Sequence, residues 1–379
     1  MKELGIYIHI PFCIQKCFYC DFHSYSNMQH RIMAYINALI KEMDSWKEKL
    51  ANYQIKSVFI GGGTPSIVPI DAIDKIINTL HTSFRLSSDL EFTIESNPGT
   101  LEKQKIKYYL ENDINRLSIG LQAWQNPLLK ELGRIHTQEM FVKNYLLARE
   151  MGFKNINVDI MFGLPHQTSA QWEETLRNVV VLQPEHISAY SLKIEDNTIF
   201  GKKYDKGMLQ LPSEEEDRWM YHFAIDFLQN YQYQHYEISN FSKEDKACMH
   251  NKIYWYNEEY IGFGLGAHSY IDQMRFSNEI LLDKYVEAIE KKQLPCTSKE
   301  KISLHDEVAE TMFLGLRMME GIDIEKFTRR FGFSPFKIYA SQISKLQDRG
   351  LLIVEGEKMK LTRKGIDLSN TVFVEFLLD

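Results

Sequence analysis

Between residues 4 and 192, short runs rich in β-branched and apolar residues alternate with longer stretches in which apolar residues return every three or four positions. The short runs lie at 4–10, 57–60, 90–95, 116–119, 156–160 and 187–192. The first long stretch, 30–50, sets Met33, Ile36, Leu39, Ile40 and Met43 on one face of a helix. Six strand–helix units in succession predict a parallel sheet with right-handed crossovers. The fold class is α/β, a partial (β/α)6 barrel of the TIM-like kind rather than the closed eight-unit form. Functional residues on such a sheet belong at the C-terminal ends of the strands. The unusual residues fall there: Cys13 follows the first run, Gly61 to Pro65 the second, Glu95 to Asn97 the third and Gln122 the fourth, while Asp159 closes the fifth.

From 193 to 295 the pattern gives a helix at 214–230, a strand at 233–238 and a glycine-rich segment, Gly262-Phe-Gly-Leu-Gly266. Beyond 300 it changes to helices at 304–319 and 335–349, then a hairpin of 350–354 with 358–361 about a turn at 355–357. This predicts a barrel with its extension over 1–295 and a winged-helix-like α+β domain over 300–379. Two cores suit 379 residues, more than one core usually serves.

A winged helix raises the question of DNA. Residues 301–379 hold 12 Lys plus Arg against 12 Asp plus Glu, and the whole chain carries −7, so the footprint for phosphate is missing and no nucleic-acid partner is expected. No run approaches the roughly 20 apolar residues of a transmembrane helix, and Met1 leads into a strand rather than a signal peptide, so the expected location is cytoplasmic. Of the five cysteines, Cys13, Cys17 and Cys20 fall within eight residues, while Cys248 and Cys296 stand apart. An odd count without a secretion signal indicates reduced thiols used for metal or redox chemistry.

Cys13-Ile-Gln-Lys-Cys17-Phe-Tyr-Cys20 lets three thiolates converge from one loop after the first strand. Three thiolates on a four-iron cubane leave one iron for an external ligand. The competing reading is a closed zinc site completed by His9 or His23. Gly61-Gly-Gly-Thr64 would let backbone approach a ligand, and Glu95, Gln122, Arg134 and Asp159 suit a ribose, an amine and a carboxylate.

The C-x3-C-x2-C spacing with Tyr19 before the last cysteine resembles the radical S-adenosylmethionine superfamily. The resemblance implies a [4Fe-4S] cluster on Cys13, Cys17 and Cys20, with S-adenosylmethionine as cofactor. Gly61, Gly62, Gly63 and Thr64 are similar to the motif that holds its methionyl amino group. Glu95-Ser-Asn-Pro98, Ser118-Ile-Gly-Leu-Gln122, Arg134 and Asn157-Val-Asp-Ile-Met-Phe-Gly-Leu-Pro165 resemble, in order and spacing, the cofactor positions of the oxygen-independent coproporphyrinogen III oxidase family. Tyr7 corresponds to a further one.

The resemblance extends through Tyr236-Glu-Ile-Ser-Asn-Phe241, Gly264-Leu-Gly-Ala-His-Ser269 and Leu361-Thr-Arg-Lys-Gly365. That family holds both the oxidase, which decarboxylates porphyrinogen propionates, and a heme chaperone group. The oxidase has a fourth cysteine where this chain has Phe22, and a longer arm than the twelve residues before Cys13; both count against oxidase activity. His250-Asn251-Lys-Ile-Tyr254-Trp255 is similar to the H-N-x-x-Y-W motif of the chaperone group, which implies haem bound near these residues with His250 as axial ligand. Cys248, His235 and His268 are rival ligands. The implied function is haem binding and delivery, with haem-accepting proteins and an electron donor as partners. Cleavage of S-adenosylmethionine is chemistry open to the family, and a haem carrier whose cluster is structural or regulatory is the remaining alternative.

Overall fold

The computed structural model describes residues 1–377. Strands β1 (Lys2–Ile10), β2 (Tyr53–Gly62), β3 (Leu86–Ser96), β4 (Arg116–Gln122), β5 (Ile156–Phe162) and β6 (His186–Ser191) run parallel, each beside the next. Between them lie α1 (Ile32–Ser45), α2 (Ile70–Ser83), α3 (Lys103–Glu111), α4 (Gln138–Met151) and α5 (Ser169–Leu182). Alternation along each strand sorts its side chains between two environments. Ile6, Ile8 and Ile10 of β1 and Val58 and Ile60 of β2 share one core with Ile36, Leu39 and Met43 of α1. The intervening residues, among them Gly5, Tyr7, Ser57 and Phe59, face the barrel interior, where Tyr7 and Phe59 stack 6.3 Å apart.

The sheet is larger than six strands. β7 (Gln234–Glu237) and β8 (Asn240–Ser242) extend it antiparallel beyond β6. On the other side β9 (Tyr260–Phe263) pairs parallel with β1, then β10 (His268–Ile271), β11 (Met274–Asn278) and β12 (Cys296–Lys301) continue antiparallel. The parallel run therefore has seven strands, and the twelve-stranded sheet remains open at β12 and β7. Four residues around Gly262 are too few to show a strand period, which is why the sequence did not disclose β9. A Cβ on Gly262 would come within 2.3 Å of the His268 carbonyl, so only glycine admits the tight return into β10.

The helices that follow include α6 (Glu214–Asn230), α7 (Met249–Trp255) and α8 (Leu282–Glu290). α6 begins at a capping box of Ser213 and Glu216. Next come α9 (Leu304–Gly315), α10 (Ile324–Phe331) and α11 (Phe336–Asp348), with a sheet of β13 (Ile322–Asp323), β14 (Leu352–Glu355) and β15 (Lys358–Leu361) ordered β13-β15-β14. These elements enclose a second core that includes Val308, Met312, Leu346, Leu351, Met359 and Phe376. α9 stops at Gly315, short of the expected 319, because the chain turns to meet β7: Ile238 N–H donates to the Arg317 carbonyl and Met319 N–H to the Tyr236 carbonyl. Among the described residues no helix is long and apolar enough to cross a bilayer.

Candidate cofactor site

The loop after β1 is pinned at both ends. Phe12–Cys13 pairs in parallel with Tyr25–Ser26, and Tyr25 N–H donates to the Pro11 carbonyl at 2.8 Å. In the middle, Phe18 N–H bonds the Leu132 carbonyl, and its ring lies against Gly133 and Phe200. Cys13 is buried, Cys17 and Cys20 are half-buried, and all three are free thiols. They line one cavity at the barrel mouth with Gly62, Gly63, Thr64, Glu95, Gln122, Arg134 and Asp159. Burial raises the Cys13 thiol and pushes Cys20 up to about 11.

A belt of hydrogen bonds connects two of the thiols. Thr64 Oγ1 donates to Cys13 Sγ at 3.7 Å and accepts from Asn97 Nδ2 at 2.8 Å. Asn97 Oδ1 accepts from Arg134 Nη2 at 2.7 Å, and Arg134 Nη1 reaches Cys17 Sγ at 3.4 Å. Arg134 also donates to the Gly120 carbonyl, which fixes its fork relative to β4. Arg134 and Thr64 stand out in the sequence as candidate site residues, whereas Asn97 does not as an individual residue. Its only signal was its place before Pro98, at the end of β3.

The glycines answer first to the protein itself. A Cβ on Gly63 would meet the Phe12 carbonyl at 2.6 Å and Cys13 Sγ at 3.0 Å. At Gly62, with φ at +115°, it would strike the His9 ring at 2.6 Å; at Gly61 it would press on Phe59 and Glu95. A Gly62→Val chain would thus disturb His9 as well as any ligand, and cannot isolate ligand binding. His9, from its sequence position a candidate zinc ligand, ties this corner together. Its Nε2 donates to the His23 carbonyl at 2.8 Å, which leaves Nδ1 to accept the Tyr7 hydroxyl at 2.9 Å.

Glu95 and Asp159 face the same cavity. Glu95 accepts the Gly62 N–H at 3.0 Å, and burial followed by the Asp159 charge pushes its carboxyl up to about 8. Asp159 is also raised by burial, although Asn157 and Ser118 donate to it at 2.7 and 3.1 Å. β5 continues to Phe162, so Asp159 sits within the strand rather than at its end. Gln122 closes β4 at φ +69°, next to a register shift at Gly120, and this left-handed turn aims it toward Gly120 and Arg134. Two deep carboxylates with no cation bonded to them make a cavity suited to a cationic ligand.

The four residues of the H-N-x-x-Y-W motif lie elsewhere, on α7 across the barrel floor. His250 is buried; Nδ1 bonds Ser57 Oγ at 2.8 Å, Nε2 bonds Tyr254 Oη at 2.9 Å, and the ring stacks on Phe59. Neither nitrogen is open to iron in this conformation. Asn251 lies beside the Tyr236 hydroxyl, and the Arg317 guanidinium covers Trp255 at 4.2 Å. Of the rival ligands, Cys248 is fully buried and donates to Glu91 Oε1, His235 bonds the Ile238 carbonyl and stacks on Phe241, and His268 is exposed.

Residues 7–179 match the radical SAM superfamily and residues 302–368 the HemN C-terminal domain. The chain is 38% identical over 372 residues to the heme chaperone HemW of Bacillus subtilis (strain 168), covering 98% of each. It is 37% identical to the heme chaperone HemW of Lactococcus lactis, covering 100% of this chain and 98% of that one. Among solved structures, coproporphyrinogen III oxidase (HemN) of Escherichia coli superposes with a TM-score of 0.87 at 22% identity, over 99% of this chain and 90% of that chain, so the fold is shared.

Proposed function

Since the chain belongs to the HemW family of the radical SAM superfamily, we propose that it binds haem and delivers it to acceptor proteins, with a [4Fe-4S] cluster on Cys13, Cys17 and Cys20 and S-adenosylmethionine beside it. The observation that carries the cofactor reading is the shared cavity, which three free thiols line together with the buried carboxyl groups of Glu95 and Asp159. When bound, the cluster supplies electrons and an open iron for the amino acid end of S-adenosylmethionine. The chain's own residues hold and orient. Arg134 and Thr64 offer hydrogen bonds to the thiolates, Asn97 fixes both donors, and Glu95 and Asp159 offer negative charge to the ligand's ammonium and sulfonium. Gly62, Gly63 and Gln122 complete the walls, while Gly61 packs on Phe59 and Glu95 and Tyr7 bonds His9. The haem reading rests on family membership, haem-accepting proteins and an electron donor are its partners, and the cytoplasm, where thiols stay reduced, is its place.

Binding of S-adenosylmethionine should depend on pH with a definite sign. The free protein holds Glu95 protonated below about 8, and a cationic ligand needs it ionised. Affinity should therefore rise with pH by up to roughly tenfold per unit between 6 and 8, then level off. Calorimetry in buffers of different ionisation enthalpy should show proton release at pH 7. A Glu95→Gln chain should bind more weakly and lose that pH dependence; the same slope in the variant would remove Glu95 from the site.

The oxidase is the second reading. Phe22, 61% exposed, stands where the oxidase has its fourth cysteine. With S-adenosylmethionine and reductant, the reconstituted chain should leave coproporphyrinogen III unchanged. Accumulation of the decarboxylated product over many turnovers would put the oxidase reading first.

A further inference from the structure

Among the residues weighed as iron ligands, only His268 presents its imidazole at the surface, at the start of β10. Two residues earlier, Gly266 lies at φ +64°, and a Cβ there would come within 2.9 Å of His23 Cδ2, so the His23 ring rests against this turn. His23 is exposed as well, three residues beyond Cys20, and its backbone is held by the His9 bond to its carbonyl. Partial burial first, then the neighbouring His23 and Arg275, holds the His268 imidazole below its usual range. A neutral imidazole is the form that ligates iron.

Large apolar side chains stand uncovered around this pair. Phe22 precedes His23, while Ile280 and Leu281, each 48% exposed, sit on a turn drawn in by Gly266 N–H to the Glu279 carbonyl and Tyr25 Oη to the Ile280 carbonyl. Lys16 Nζ bonds the Phe22 carbonyl at 2.8 Å and adds an ammonium beside the patch. Two imidazoles, exposed apolar surface and a cation are the groups that an iron porphyrin with propionates requires. Exposure also suits a carrier, because the same open side admits an acceptor.

We propose that His23 and His268, flanked by Phe22, Ile280 and Leu281, form a surface haem seat beside the cluster loop, with one imidazole bonding iron in place of water and Lys16 facing a propionate. The proposal rests on the haem reading above and locates its site. The test is a hemin titration of the full chain, with its cluster reconstituted anaerobically, followed by Soret absorbance. The His23→Ala, His268→Ala double variant should bind at least about tenfold more weakly and lose the imidazole-ligated spectrum, which added imidazole should restore, while iron and sulfide stay unchanged. If the double variant binds with wild-type affinity and spectrum, the seat is elsewhere and the haem reading stands. If the wild-type chain itself shows no saturable change, the haem reading falls and the seat with it. Should the alanine pair lower cluster content, the His23→Gln, His268→Gln pair is read against the same outcomes.

Discussion

Replacing Cys17 by Ala is expected to reduce the iron bound after anaerobic reconstitution from about four atoms per chain to near zero, and Cys13→Ala and Cys20→Ala should do the same. Each thiol faces the shared cavity, and none has a neighbouring cysteine beyond the trio to take its place. Cys248→Ala and Cys296→Ala should keep a full cluster. Cys248 bonds Glu91, four residues before Glu95 on β3 and toward the barrel floor, and Cys296 lies on the outermost strand, β12. Cys248→Ala will still lower stability, since it opens a gap in a fully buried position. Iron and sulfide analysis with the visible spectrum separates these outcomes. A full cluster in Cys17→Ala, or its loss in Cys296→Ala, would overturn the assignment.

The second large effect concerns His250. His250→Ala removes the bonds to Ser57 and Tyr254 and the stacking on Phe59. The buried Ser57 hydroxyl and the half-buried Tyr254 hydroxyl each lose a partner and a cavity opens, for a combined cost of about 3 kcal/mol or more. Denaturant unfolding should show it as a lower midpoint. Burial, with the Arg116 charge adding to it, holds the imidazole down to about 3, far below its unfolded value near 6.5. For a group with a depressed pKa, stability is complete above the unfolded value and is lost as pH falls toward the folded one. Native chains should therefore lose stability below about pH 6.5, and His250→Ala should remove about 1.4 kcal/mol per pH unit from that slope. An unchanged midpoint and slope would mean that His250 is not the floor residue described here. With haem present, the surface seat predicts binding to whatever fraction of His250→Ala remains folded.

Much of the architecture was legible because the six βα units carry strong periods. The six short runs read as strands are found as β1 to β6, and Ile6, Ile8 and Ile10 share a core with α1. The hairpin around Glu355-Gly356-Glu357 was readable from its turn. β9 and β13, at four and two residues, are too short to carry a period. The thiols were legible from spacing alone. The belt was not, since Asn97 acts through bonds to Thr64 and Arg134, 33 and 37 residues away in the chain. The glycines were legible as an unusual run, but their cause, the packing of His9, Phe12 and Phe59, is tertiary. The H-N-x-x-Y-W motif was legible as six residues in a row, while the bonds of both His250 nitrogens, to Ser57 and to Tyr254, are tertiary and were not.

Haem delivery is measured by transfer to an acceptor. The chain, loaded with haem and freed of excess, is mixed with an apo haem protein such as apomyoglobin, and the Soret band is followed. A saturable initial complex is expected, with movement of haem to the acceptor at a rate that rises with acceptor concentration. Haem that stays on the chain, or leaves at one fixed rate whatever the acceptor concentration, would contradict delivery through an acceptor complex.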